Sequence, residues 1–534
     1  MEPTGDPNKP REVPDERMAA ATSHISDAER DSSHDDSKSA KHITAGDVSD
    51  LAQAEARGLQ PPEIIARLTP DQRIELEKRL VRKVDLRLLP MIIIMYILNY
   101  IDRNNIAAAK LAGLPQDLHL EGNQFQTAVS ILFVGYLLMQ IPSNLFLNKI
   151  GLPGIYLPVC MIVWGIISAA TAAVKNFGGL IAVRFFLGFV EAAYFPGCLY
   201  YLSCWYTRKE LGLRTALLYS GALISGAFSG LIAAGVRANL TGVRGFGAWQ
   251  WLFIIEGVIT VGVAFIAIFI LPNFPRTTKW LSEEEKALAI WRLEEDIGED
   301  DWIDGAQQQS LFHGAKLAFA DMKTYVLLVL LLGIVSSGGV TNFLPAVVKT
   351  LGYNDVNTLL LTSPPYILCV ITSSLNAWHA DRTGERFWHI TLSLCVALIG
   401  FIIAATTTAI GPRYFAIIIM IPGVYGGFVV ALAWISNTMP RPPAKRAAAL
   451  AFINAVSNAS SIYVSYLYQD WMAPRYVIAF GVNSGTIVLA IAAAAILRIM
   501  LVRLNKKLDQ GIHVEGAINA LPGQAAQHGF RFKV

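Results

Sequence analysis

The chain has 534 residues, of which 53% are hydrophobic and only 16% charged, with a net charge of +3. Soluble domains carry about 25% charged residues, so the deficit predicts a chain solvated mainly by lipid, and the near-neutral balance excludes a basic nucleic-acid binder. Five cysteines, Cys160, Cys198, Cys204, Cys369 and Cys395, all fall in apolar stretches without metal-ligand spacing; they read as small buried hydrophobes, with neither disulfides nor a metal site expected.

Residues 1–60 are rich in Asp, Ser, Lys and Pro and poor in aromatics, the composition of a disordered tail. They hold no apolar h-region, so no signal peptide is expected. Residues 61–87 form a pre-membrane segment. Thr69-Pro70-Asp71 opens a helix there, with Ile74, Leu76, Leu80, Val81 and Val84 as its apolar residues. Lys78, Arg79, Arg82, Lys83 and Arg87 crowd against the first apolar run, and such a polybasic approach is normally cytoplasmic.

A helix crossing hydrocarbon needs about 20 mainly apolar residues. Twelve such spans are read, at roughly 88–109, 124–147, 154–174, 178–205, 213–236, 250–271, 324–348, 358–378, 388–408, 412–436, 447–468 and 475–501. The expected fold is an all-α integral membrane protein of two six-helix halves, 88–271 and 324–501. A polar linker, 272–323, joins them and carries a surface helix opened by Ser282 and Glu285; a second tail, 502–534, follows. An even span count puts both ends on one side. Arg208, Lys209 and Arg214 after span 4, Arg382 and Arg386 after span 8, Arg441, Lys445 and Arg446 after span 10, and Lys506 and Lys507 after span 12 assign that side to the cytoplasm. Asn239-Leu240-Thr241 is then a glycosylation sequon in an outward loop, whereas Asn458-Ala459-Ser460 lies inside span 11 and stays unmodified.

The loop between spans 8 and 9 reads AWHADRTGERF, a small-x-x-x-Asp-Arg-x-Gly-x-Arg pattern. Asp381 can accept from backbone N–H groups at a helix start and pair with a basic residue on a neighbouring helix. Gly384 permits a tight turn. With Arg382 and Arg386 these residues read as a conformational latch; positive-inside anchoring is the plainer alternative. The matching first-half loop, NLFLNKIGLPGIYLP, keeps Lys149 and Gly151 but lacks the Asp and the later Arg. Six plus six spans with this loop resemble the major facilitator superfamily. LNYIDRNNIAAAKLAGL, QTAVSILFVGYLLMQIPSNLFL and RFFLGFVEAAYFPGCLYYLSCWYTRKELGLR resemble one subgroup of it, the fungal allantoate and nicotinate permeases of the anion:cation symporters, over roughly residues 85–505. The plasma membrane is the location this resemblance implies, and a monomer is the expected state.

Charges inside the spans are the main functional signal. Arg103 lies about 15 residues into span 1, or about 22 Å at about 1.5 Å per residue. Arg184 sits about six residues into span 4, at similar depth, with Gly188 and Glu191 following at i+4 and i+7 on one face. Adjacent helix positions diverge by about 100°, so Asp102 and Arg103 cannot share a partner. Arg103 is read toward the cavity, and Asp102 toward a neighbouring helix or Arg184. Intramembrane ionisable groups usually line a substrate or ion path. Arginine stays charged and grips a carboxylate bidentately, which assigns Arg103 and Arg184 to substrate. Burial disfavours the charged form of a carboxylate, which suits Glu191 to proton coupling. The resemblance implies the same roles, since related vesicular anion carriers share the span-1 Arg and the Arg-x-x-x-Gly-x-x-Glu pattern. A salt-bridge network holding helices together would use the same residues.

Asn342 and Asn454 are weaker substrate-contact candidates among the second-half spans. Gly188, Gly226 and Gly230, the last two in the stripe SGALISGAFSGLIAAG, read as helix-packing positions. Glu210 and Arg214, four apart, are expected to pair in a cytoplasmic gate. The composite reading is a secondary transporter moving a small organic anion with protons by alternating access. No Gly-x-x-x-x-Gly-Lys-Ser/Thr loop suggests ATP use, no cofactor is expected, and His119, His379 and His389 are too scattered for an enzyme. Export of a metabolite or toxin and a non-transporting nutrient sensor are the alternatives.

Overall fold

The computed structural model describes residues 61–150, 152–301, 311–439, 443–512, 514 and 531–534. The tail 1–60, Gly151, Arg441 and most of 513–530 lie outside the described residues. Helix α1 (Pro70–Leu111) opens as the sequence predicts. Thr69 Oγ1 accepts from the Gln72 amide at 3.3 Å, and Gln72 Oε1 accepts from the Thr69 amide at 3.0 Å. Pro70 stands at the first helical position, where its missing N–H costs nothing. The helix then runs 42 residues through Pro90 without a break, so the pre-membrane segment and the first span are one rod. At about 1.5 Å per residue its length is roughly twice the hydrocarbon thickness of about 30 Å, and its first turns must stand outside the membrane.

The other long helices are α2 (Gln124–Ile150), α3 (Pro153–Ala170), α4 (Phe177–Ser203), α5 (Arg208–Asn239), α6 (Ala248–Ile270), α7 (Met322–Lys349), α8 (Asp355–Thr383), α9 (Phe387–Thr406), α10 (Ile410–Thr438), α11 (Pro443–Val464) and α12 (Val477–Asp509). Ten of the twelve are long and apolar enough to cross a membrane. The remaining two, α2 with 27 residues and α11 with 22, stand where spans 2 and 11 are read. α4 is interrupted after Glu191, and α7 by a tight turn over Gly339–Phe343.

The packing repeats with an offset of six helices. α1 packs on α5 and α6, α2 on α4, and α3 on α6; α7 packs on α11 and α12, α8 on α10, and α9 on α12. The two sets meet through α5 on α8 and α2 on α11. Lipid provides no hydrophobic drive between helices, so close approach of backbones does the holding. A Cβ on Gly188 would collide with the Leu132 carbonyl of α2, and one on Gly135 with the Phe185 carbonyl of α4. Gly226 and Gly230 do the same between the two sets, against the Tyr366 ring and the Thr362 hydroxyl of α8. All five cysteines are free thiols.

The linker helix, Glu283–Asp301, begins with the predicted capping box: the Glu285 amide donates to Ser282 Oγ at 3.2 Å and the Ser282 amide to Glu285 Oε2 at 3.1 Å. It lies against the long first helix, where Lys83 meets Glu285 at 2.5 Å. The last described residues are on the same face of the bundle. The Arg386 amide, after α8, donates to the Val534 carbonyl at 2.7 Å, and Phe532 lies under Lys323 at the start of α7.

Polar contacts between the two sets gather at the opposite, far face. Lys110 meets Asp470 at 2.5 Å and Arg237 meets Asp355 at 3.0 Å. Thr127 shares a hydrogen bond with Tyr466 at 3.1 Å, and Ser363 donates to the Ala227 carbonyl at 3.0 Å. The bundle is therefore drawn together at its far face.

Candidate functional site

The site begins with two neighbours on α1 that point apart. Arg103 Nε donates to Glu191 Oε2 at 2.6 Å, across to α4. The guanidinium is flanked by the Tyr136 ring at 4.5 Å and the Tyr100 ring at 5.3 Å, an arrangement that favours a desolvated cation. Its side chain keeps 15% exposure, while that of Glu191 has none. Arg103 is thus the member of the pair that retains access.

Arg184 lies one face-repeat before Glu191 on α4 and is 2% exposed. Its Nε donates to the Ala128 carbonyl of α2 at 3.3 Å. Its Nη1 and the second oxygen of Glu191 are both buried without a hydrogen-bond partner among the described residues. Arg184 is within electrostatic reach of Glu191, Arg103 and Asp102. Buried polar atoms are rarely left unsatisfied, so a cation with a free N–H beside a carboxylate with a free oxygen is an unfilled polar site.

Asp102 turns the other way. Its two oxygens accept from Ser168 Oγ of α3 at 2.8 Å and Thr260 Oγ1 of α6 at 3.3 Å. Of the two partners the sequence leaves open, neighbouring helices win over Arg184. Rotation around α1 is the reason: consecutive side chains diverge by about 100°, and Arg103 takes the α4 side.

Asn342 lies half-buried on the turn that interrupts α7. Asn454, on α11, accepts from Asn458 Nδ2 at 3.0 Å on its own helix. Neither has a described contact with Arg103, Arg184 or Glu191. On the far-face side of Arg103, a pocket of about 20 Å³ is lined by Asn104, Ser229, Thr341, Thr362 and Tyr366, drawing on both helix sets.

Two local pairings differ from expectation. Asp381 meets Arg386 in its own loop at 2.5 Å, where the sequence suggests a neighbouring helix. Gly384, at φ 71°, closes α8 and folds the loop back, which brings the two residues together. Arg382 lies over the Trp378 ring at 5.5 Å. The Glu210 carboxylate is not what the Arg214 side chain bonds either; Arg214 Nη1 donates to the Glu210 backbone carbonyl at 3.2 Å. The carboxylate caps the Thr207 amide at 3.2 Å and takes the linker's buried Arg292 at 3.1 Å. Arg214 instead grips both oxygens of Asp85 on α1, at 3.2 and 2.8 Å. The extended first helix supplies a competing carboxylate that local spacing cannot reveal. Asn239 is exposed at the last turn of α5, with its Nδ2 bonded to the Gly235 carbonyl at 2.9 Å.

The sequence reading missed three buried polar residues. Asn99 and Asn105 on α1 and Glu256 on α6 have both side-chain polar atoms buried and unpartnered. A signal existed for the last: Glu256 is the one charge inside WLFIIEGVITVGVAFIAIFI.

Taken together, a bundle of long apolar helices in two repeated sets, with an arginine–glutamate pair deep inside, defines a multi-pass membrane transporter. The chain belongs to the Major Facilitator Superfamily, which it matches over residues 92–465. It is 35% identical to the MFS-type transporter efuF of Hormonema carpetanum over 74% of this chain and 79% of that one. It is 34% identical to the MFS-type transporter cnsO of Penicillium expansum over 82% and 86%, and 33% to the major facilitator-type transporter hxnP of Emericella nidulans over 76% and 81%. The fold superimposes on an inward-facing bacterial homolog of the human lysosomal transporter Spinster with a TM-score of 0.59 at 15% identity, covering 77% of this chain and 95% of that one. A D-xylose-proton symporter gives 0.58 at 15% identity over 77% and 97%.

Proposed function

We propose that the protein is a proton-coupled symporter of a small organic anion working by alternating access. In this reading all twelve long helices span the membrane, with both chain ends and the linker in the cytoplasm. Residues 88–271 and 324–501 are then the halves that rock. The far face is outside, and its ion pairs hold the outer gate shut, so the arrangement opens inward.

The observation that carries the reading is the unfilled valence beside the Arg103–Glu191 pair. A substrate carboxylate can take Arg184 Nη1 and compete with Glu191 for Arg103, because arginine forms bidentate pairs with carboxylates. Glu191, once released by Arg103, is a buried carboxylate without a counter-ion, which binds a proton rather than remain charged. Anion binding and proton binding thereby favour each other, as symport requires. Asn342 and Asn454 are assigned to the substrate path from the second half, and the Asp381–Arg386 loop, with Arg382 and Gly384, to a latch. Gly188, Gly226 and Gly230 set helix approach, and Asn239 is the glycan acceptor.

Uptake of radiolabelled organic acids into yeast lacking its own carriers, at pH 5 and pH 7, tests this. One acid should accumulate, more strongly at pH 5, and accumulation should vanish in Arg184→Ala. Glu191→Gln should keep exchange and lose pH-driven accumulation. Efflux from loaded cells in place of uptake would reverse the direction and make the protein an exporter. A protein that reaches the surface and moves no acid either way would end the anion reading.

A further inference from the structure

We propose that Glu256, together with Asn105 and Asp102, forms a second proton-binding site in the first six helices, behind α1 and separate from the Arg103–Glu191 pair. The geometry comes from three helices. Asp102 and Asn105 are three apart on α1, and Glu256 and Thr260 are four apart on α6, so each pair lines one helix face. Thr260 bonds Asp102 at 3.3 Å, which turns those two faces toward each other. From α3, Ser168 closes the third side through its 2.8 Å bond to Asp102. Gly257 and Gly165 let α6 and α3 pack backbone to backbone beside it.

The chemistry within is unbalanced. Both oxygens of Glu256 are buried without a partner, and so are Oδ1 and Nδ2 of Asn105. Glu256 is 1% exposed, and Asp102 and Asn105 are fully buried. Among the described residues, Asp102 is the one charged or titratable group within electrostatic reach of Glu256. α3 presents the neutral Ser168 to Asp102, and α1 presents the neutral Asn105 to Glu256. Asp102 already has two hydroxyl donors; Glu256 has no cation and no closed hydrogen bond, with the Asn105 amide as the one donor near it. Asp102 is within electrostatic reach of Arg184 and Glu191, whereas no cation among the described residues reaches Glu256; a buried carboxylate with no cation does not stay ionised. Glu256, the group with neither a cation nor a closed hydrogen bond, is the one that takes the proton.

The site has a route to the substrate machinery. Asp102 and Arg103 are consecutive, so a rotation or shift of α1 that loosens Arg103 from Glu191 also moves Asp102 against Ser168, Thr260 and Glu256. The coupling role rests on the transport reading above; proton binding itself does not.

The test is infrared spectroscopy of the full-length protein in lipid, comparing preparations with and without ¹³C-glutamate. At pH 7 ordinary glutamates, with pKa about 4.3, are ionised, so a protonated-glutamate carbonyl band reports a buried acid. The band should appear in wild type and in Glu191→Gln, weaken by pH 9, and be lost in Glu256→Gln. A band unaffected by Glu256→Gln overturns the proposal. So does one that does not weaken by pH 9, because Glu256 would then be a permanently neutral structural acid. Loss of the band on exchanging choline for sodium overturns it in favour of an alkali-cation site. If Glu256→Gln does not fold, Asn105→Leu replaces it: the wild-type band should move in frequency, and an unmoved band overturns the site. An intact band in a protein that moves no acid would sink symport and leave this site standing. Proton-driven uptake without the band would do the reverse.

Discussion

In the first six helices, Asp102, Arg184, Glu191 and Glu256 are buried well inside the helices, with Arg103 half-buried beside them. In the second six, the buried cations Lys323, Arg386, Arg413 and Lys445 sit at helix ends, and deeper positions hold neutral groups such as Ser457 and Asn483. Asn483 has a neutral partner, donating through Nδ2 to the Tyr468 hydroxyl at 2.7 Å. Both sets use the same pairings of helices, so packing does not explain the difference. Buried charge is costly in a membrane, and a scaffold built well without it in one half has no structural need of it in the other. In the proposed reading the charges of the first half serve transport, and the second half contributes a neutral wall and the contacts that close the far face.

The comparison breaks if the first-half charges prove to be only fasteners. The largest expected effect is from Arg103→Ala, which leaves Glu191 buried and unpaired. Removing one member of a buried pair costs about 3–5 kcal/mol, read as a large drop in melting temperature in detergent. Adding Glu191→Gln should restore most of that stability without restoring uptake. Restored uptake in the double variant would make the pair a fastener.

Next is Gly188→Val, which forces a side chain onto the Leu132 carbonyl of α2. Overpacking of about 1–3 kcal/mol should lower surface expression and melting temperature. Gly262→Val, at a glycine with open space around it, should leave both unchanged and serves as the control.

A smaller, pH-dependent effect belongs to the second half. Burial works against ionised Asp321 at the head of α7. Its hydrogen bond to Lys445, the nearby Lys323 charge and the Lys323 amide outweigh that and hold its carboxyl below the usual range. A carboxyl with a lowered folded-state pKa stabilises fully above its unfolded value of about 3.9 and loses that contribution as pH falls through the folded value. Wild type should therefore melt above Asp321→Asn at neutral pH, with the gap closing below about pH 3.9. A gap independent of pH would mean the charge is irrelevant.

The smallest effect concerns the far-face pair Lys110–Asp470, whose aspartate is 75% exposed. Such a pair is worth about 0–1 kcal/mol, so Asp470→Ala should hardly change stability. It should still raise the labelling rate, from the far side, of a cysteine placed at Ala108 in the small pocket. Exchanging the two residues, Lys110→Asp with Asp470→Lys, should return the rate toward wild type. No change in either variant would remove this pair from the gate.

The sequence by itself determined the helices, because each of its signals is local. Apolar runs of membrane length, the Thr69–Gln72 and Ser282–Glu285 boxes, and Gly384 at the end of α8 depend only on neighbours a few residues away. The Arg184–Gly188–Glu191 face was legible for the same reason, as helical periodicity on one element. Tertiary structure alone decided who meets whom. The sequence could not tell that Arg103 reaches Glu191 and Asp102 reaches Ser168 and Thr260, because those partners lie up to 158 residues away in the chain. Nor could it tell that Glu210 belongs to Arg292 and Arg214 to Asp85. Spacing of four permits a pair within one helix, but only the folded arrangement shows which carboxylate is nearer. Glu256 stood in plain view as one charge in an apolar run. Its bareness became visible only when α1, α3 and α6 closed around it and supplied neither a cation nor a closed hydrogen bond.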